Sequence, residues 1–139
     1  MGVRFRLLIG DRNGHVRDFL KRELTAEGYD VRLAGDGREV LAAVNGPDPP
    51  DLLIMDLLLP FVDGLFILEK LRERQCPVPV IIYTALTEYQ SDPLVKTAAA
   101  FIEKDGEISS LKNALADLLL KFYPGRCQAF PSLSRPAKA

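Results

Sequence analysis

Short apolar runs alternate along this chain with stretches in which apolar residues recur every three or four positions. The runs are Phe5 to Ile9, Val31 to Ala34, Leu52 to Met55, Val80 to Tyr83 and a brief Ala100 to Ile102. The first helical-period stretch carries Val16, Phe19, Leu20 and Leu24, and the second Val40, Leu41 and Val44. The third carries Leu65, Leu68 and Leu71, and the last Ile108, Leu111, Leu115, Leu118, Leu119 and Phe122. Spacing of three and four predicts one apolar helix face, and short unbroken runs predict strands covered on both sides.

The punctuation fits this reading. Asn13 is placed to cap the first helix, and Gly28 to end it before Tyr29. Gly46-Pro47-Asp48-Pro49-Pro50 breaks the second helix, Asp63 caps the third, and Pro77 and Pro79 follow it. Ser91-Asp92-Pro93 reads as a cap with a first-position proline, which predicts a short fourth helix of about two turns. Thr87 to Gln90 is then a loop or a separate turn. The order is βαβαβαβαβα, an α/β fold with a doubly wound parallel sheet and helices on both faces. From Tyr123 the periodicity stops, and prolines, Gly125 and serines follow. The expected organisation is one domain over 1–122 and a flexible C-terminal tail over 123–139, without an output domain.

Composition narrows the function. Of the 139 residues, 47% are hydrophobic and 27% charged, which suits a globular domain. A formal net charge of −1 supplies no basic field for nucleic acid. The apolar runs are too short to span a membrane, and the N-terminus lacks a signal-peptide layout. Cys76 and Cys127 match neither a metal spacing nor a disulfide framework, so they read as reduced thiols of a cytoplasmic protein.

Chemistry gathers where strands end. Asp11 follows the first strand, Asp56 the third, Thr84 the fourth and Lys104 the fifth. In an open parallel sheet, ligands bind outside the carboxyl ends of the strands. Two carboxylates, a hydroxyl and an ammonium in one place suit phosphoryl transfer, with a carboxylate nucleophile and Mg2+ held between oxygens.

These residues give the chain its likeness. It resembles a bacterial response regulator receiver domain of the chemotaxis-regulator (CheY-like) type over about residues 4–122. The matching pieces are Asp56 with Pro60, Asp63 and Gly64, then Thr84-Ala85, and Phe101 three residues before Lys104. The resemblance implies a five-stranded sheet of order 2-1-3-4-5, as in flavodoxin and CheY-like folds. It implies Asp56 as phosphoacceptor, and Thr84, Lys104 and Phe101 as phosphate-binding and switch residues. Mg2+ would lie on Asp11, Asp56 and the backbone carbonyl of Leu58. The implied partners are a histidine kinase or phosphotransfer protein and a downstream protein target.

Two departures change the expectation. Receivers carry two adjacent acids after the first strand, and here the pair reads Asp11-Arg12. Lys104 is followed by Asp105-Gly106 instead of proline. Arg12 is expected to weaken Mg2+ binding, or to pair with Asp56 and hold one state; the alternative is that it points to solvent and Asn13 or water fills in for the missing ligand. Leu58 and Leu86 cannot orient an attacking water, so a phosphorylated form is expected to hydrolyse slowly. The alternative function is a phosphorylation-independent pseudo-receiver, a protein-interaction module. The haloacid-dehalogenase pattern fails at Leu58 and the P-loop pattern is absent, so no enzyme of those classes is expected. Leu118 and Leu120 leave room for a homodimer through the last helix.

Overall fold

The computed structural model describes residues 4–104 and 106–127, with Cys127 described by its backbone alone. Five strands form one sheet: β1 (Arg6–Gly10), β2 (Asp30–Ala34), β3 (Leu52–Met55), β4 (Val80–Thr84) and β5 (Ala100–Glu103). The order is β2-β1-β3-β4-β5, all neighbours parallel. Five helices accompany them: α1 (Gly14–Ala26), α2 (Gly37–Val44), α3 (Gly64–Glu73), α4 (Ile108–Phe122) and the single turn α5 (Pro124–Cys127). This is the expected doubly wound fold.

Alternation along the strands builds two cores. Leu7, Ile9, Leu52, Ile54, Ile81 and Tyr83 face α1 and α4, where Leu20, Leu24, Leu111, Leu115 and Leu119 meet them. Leu8, Leu53, Met55, Val80 and Ile82 face α2 and α3, against Val40, Val44, Ile67, Leu68 and Leu71. Every residue of β3 and β4 is buried. Each aliphatic side chain among them contributes about 1.5–3 kcal/mol by leaving water. The central strands are therefore rigid, and what they carry at their carboxyl ends is rigidly presented.

The caps form as expected. Asn13 accepts from the amides of His15 and Val16, and Asp63 from that of Phe66. Gly28 adopts φ 101°, the left-handed conformation that closes α1. Asp36, not anticipated, caps α2 by accepting from Glu39.

The expected fourth helix is corrected. Two separate 3₁₀ turns, Thr87–Tyr89 and Val95–Thr97, join β4 to β5. Asp92 does act as a cap, accepting from Leu94 and Val95. The segment turns into β5 before a second α-helical turn can propagate, and nucleation without propagation leaves a 3₁₀ turn.

The C-terminal boundary also differs from the expectation. Tyr123 donates its hydroxyl to the Asp51 carbonyl at 2.7 Å. Arg126 binds both Asp51 carboxylate oxygens, at 2.8 and 3.1 Å, and its guanidinium lies 4.3 Å from the Phe5 ring centroid. Residues 123–127 are thus docked on the domain where a tail was expected. The remainder of that expected tail, 128–139, lies outside the described residues, as do residues 1–3 and Asp105.

Candidate functional site

The carboxyl ends of β1, β3, β4 and β5 converge on Asp56. Its side chain leaves the rigid end of β3 and is buried, 5% exposed. Thr84, at the end of β4 and fully buried, donates its hydroxyl to Asp56 Oδ1 at 2.6 Å. The Leu58 amide approaches the same oxygen at 3.3 Å. Lys104 Nζ lies 2.5 Å from Asp56 Oδ2 and 2.7 Å from Asp11 Oδ2. Asp11 is itself buried, 2% exposed, and its Oδ1 accepts from the Asn13 amide at 2.9 Å. Two buried carboxylates are costly side by side unless a cation sits between them, and Lys104 is that cation.

The setting of Lys104 follows from β5. Its amide donates to the Thr84 carbonyl at 2.8 Å, which extends the β4–β5 ladder past the last strand residue. The Tyr83 hydroxyl reaches the Lys104 carbonyl at 3.4 Å. Burial pushes the Lys104 ammonium down, but its hydrogen bonds to Asp11 and Asp56 more than offset this, so its pKa stands above the ordinary lysine value. Burial likewise raises the Tyr83 phenol, with Lys104 opposing and Asp11 adding.

The sequence-derived residues fall as follows. Asp11, Asp56, Thr84 and Lys104 come together. Phe101, in register with Ile82 on β5, is half-buried on the α2–α3 side of the sheet. Leu58 is exposed at the rim, and Leu86 is half-buried. Arg12 does not join the pocket. It is exposed, and among the described residues it forms no ion pair with Asp56. Asp11 turns inward, and its successor in extended chain turns outward. The anticipated Arg12–Asp56 pair is therefore absent, and Lys104 holds the Asp56 carboxylate instead.

The rim is shaped by one close approach. A Cβ on Gly37 would stand 1.8 Å from the Val62 carbonyl oxygen, so only glycine lets the β3–α3 loop cross the start of α2. The Gly37 amide donates to the Pro60 carbonyl at 3.1 Å. Between Pro60 and Val62, Phe61 is held at φ 68°, with the Arg38 guanidinium 3.6 Å from its ring centroid.

For Mg2+, the donor set is one of hard oxygens. Asp11 and Asp56 could supply carboxylates, and the resemblance implies the main-chain carbonyl of Leu58 beside them. Magnesium typically takes one or two carboxylates, the rest of its octahedron coming from water and phosphate. The residues present fit that demand with one acid fewer than the expected three. Sequence reasoning missed Arg17 and Tyr83 as neighbours of the pocket. Arg17, six residues after Asp11 on the first turns of α1, left only its spacing as a signal.

Comparison with known proteins agrees with this geometry. Residues 7–116 match the response regulator receiver domain. Response regulator MprA of Mycolicibacterium vanbaalenii is 39% identical over 80 residues, which cover 58% of this chain and 34% of that protein. MprA of Mycobacterium leprae is 40% identical over a stretch of the same length. The match spans about a third of the length of these curated relatives. Among solved structures, response regulator TrrA of Thermotoga maritima, in complex with Mg(2+)-BeF, is 31% identical. That alignment covers 83% of this chain and 99% of TrrA, with a TM-score of 0.76. A CheY-like receiver domain protein of Methanospirillum hungatei is 25% identical, covers 88% and 99%, and has a TM-score of 0.80.

Proposed function

The chain belongs to the response regulator receiver domain family, and on that premise we propose that Asp56 accepts a phosphoryl group from a histidine kinase or phosphotransfer protein. The observation that carries this reading is the Lys104 ammonium shared by Asp56 and Asp11, with the Thr84 hydroxyl on the other Asp56 oxygen.

The Asp56 carboxylate is the nucleophile. An oxygen–phosphorus bond forms as the donor's nitrogen–phosphorus bond breaks, and the imidazole nitrogen keeps the electron pair and takes up a proton. Lys104 and Thr84 hold the carboxylate in place before transfer and turn to the phosphoryl oxygens after it. Asp11, Asp56 and the Leu58 carbonyl would hold Mg2+, which when bound neutralises charge on the transferring group. Arg12 stands where a further acid would strengthen that site, so Mg2+ binding is weak. Leu58 and Leu86 leave no group to orient water, so the acyl phosphate is long-lived.

Thr84 and Phe101 relay the change. As the hydroxyl follows the phosphoryl group, the half-buried aromatic moves inward and the surface near β5 alters for a downstream protein partner. The domain acts by binding, in the cytoplasm, with no small-molecule substrate of its own. Homodimerisation through α4 would rest on the exposed Leu120, because Leu118 packs against the core.

Arg12 also favours a second reading, a pseudo-receiver that binds its partner without phosphorylation. One experiment separates the two. The protein is treated with acetyl phosphate or phosphoramidate, with and without Mg2+, and mapped by mass spectrometry. A label on Asp56, absent in Asp56→Ala, supports the acceptor. No label at saturating donor and Mg2+ refutes it and leaves the interaction module.

A further inference from the structure

The pocket is served by an arginine other than Arg12. Arg17 Nη1 donates to the main-chain carbonyl of Asp11 at 2.7 Å. The same guanidinium rests against the β2–α2 loop: a Cβ on Gly35 would stand 3.2 Å from Nη1 and 3.5 Å from Cζ. A Cβ on Gly14 would meet Nη2 only at an ordinary 3.4 Å, so it is Gly35 that leaves the slot, and the planar guanidinium fills it. The wall of the slot is itself held, because the Gly35 amide donates to the Glu39 carboxylate at 2.6 Å.

With Arg17 in place, every polar atom of Asp11 is engaged. Its amide donates to the Ala34 carbonyl at 3.1 Å, and its carbonyl accepts from Arg17. Its carboxylate takes the Asn13 amide on one oxygen and Lys104 on the other. Asp11 is 2% exposed, so water cannot replace a lost partner. The residue after it, exposed Arg12, gives the loop no inward anchor.

We propose that Arg17 is a positioning residue for phosphoryl acceptance. It clamps the Asp11 peptide between the loops after β1 and β2 and so aims the Asp11 carboxylate at Lys104, beside Asp56. The inference rests on Asp56 as the acceptor. Without the clamp the Asp11 peptide turns, Lys104 is drawn toward one carboxylate, and the charge around the nucleophile loses its symmetry.

Three variants of the full chain test this: Arg17→Ala, Arg17→Lys, and Gly35→Ala, which crowds the guanidinium without touching Asp11. Each is read by the rate of Asp56 labelling with acetyl phosphate and Mg2+, by the carbon-13 carboxyl resonance of Asp11, and by the thermal midpoint. Since small misplacements near reacting atoms cost up to about a hundredfold, Arg17→Ala is expected to slow labelling about tenfold and to move the Asp11 resonance. Gly35→Ala does both to a smaller extent, and Arg17→Lys retains part of the rate. An Asp11 resonance unmoved in both Arg17→Ala and Gly35→Ala overturns the proposal, as does a rate that follows the thermal midpoint across all three variants. If the wild-type chain takes no label, the acceptor reading fails, and the Asp11 resonance still decides what Arg17 positions.

Discussion

Thr84 gives its hydroxyl to Asp56 across two central strands, at 2.6 Å and with Thr84 wholly out of water. The bond is charge-assisted, and a buried carboxylate oxygen deprived of it keeps only the long contact from Leu58. Thr84→Ala is expected to lower stability by about 2 kcal/mol, with Thr84→Ser recovering most of it. Urea denaturation of the two variants checks this, and equal losses in both would show that the methyl group, not the hydroxyl, matters.

Removing Lys104 leaves two buried acids facing each other. Lys104→Met is expected to cost about 3 kcal/mol at pH 7, somewhat less where solvent reaches the pair. Urea denaturation midpoints of the wild type and the variant at pH 7 measure it.

The alkaline limb has a defined sign. Lys104 is raised above its ordinary value of 10.5, and Tyr83 above 10.0. A group raised in the folded state contributes stability that is whole below its unfolded pKa and is lost as pH climbs through the folded one. The domain should therefore hold its stability up to about pH 10 and lose it steadily beyond. Lys104→Met should flatten part of that decline in a pH series of unfolding curves.

Gly37→Ala tests the crossing of the β3–α3 loop. A Cβ 1.8 Å from the Val62 carbonyl cannot be accommodated by a side-chain rotation, because the obstacle is backbone. The expected loss is about 3 kcal/mol, read as a fall in the thermal midpoint. Gly125→Ala is the matched control, since a Cβ there meets nothing within 4 Å.

Arg12→Asp restores the adjacent acids. Because Arg12 is exposed and unpaired with Asp56, the fold should be unaffected. Mg2+ affinity by titration calorimetry should rise about tenfold or more, as a third carboxylate joins a hard-oxygen site. Unchanged affinity would mean that Arg12 never limited it.

The four pocket residues were legible because apolar runs marked the strands and each polar residue stood at a strand's end. What failed was direction. Arg12 and Lys104 are both cations near Asp56 in any pattern of letters, but only backbone geometry turns Arg12 out and Lys104 in. Asp92-Pro93 announced the cap correctly but not the helix, because it said nothing of how soon β5 would begin. Gly37 is an ordinary turn glycine until the loop carrying Val62 is laid across it. Arg126, among helix breakers, read as tail because its partners Phe5 and Asp51 lie far back in the chain.

The two 3₁₀ turns between β4 and β5 leave that flank without a continuous helix. A helix moves as a unit, and shifting it means breaking or carrying along a whole ladder of bonds. Each turn packs on the α2–α3 core by its own residues, Tyr89 in the first and Val95 in the second, so the two can shift separately. In the proposed relay from Thr84 to Phe101 the intervening chain is these two turns, and a small displacement at Asp56 would be spent there as a change of contour on one side of the molecule, while the opposite side keeps its shape.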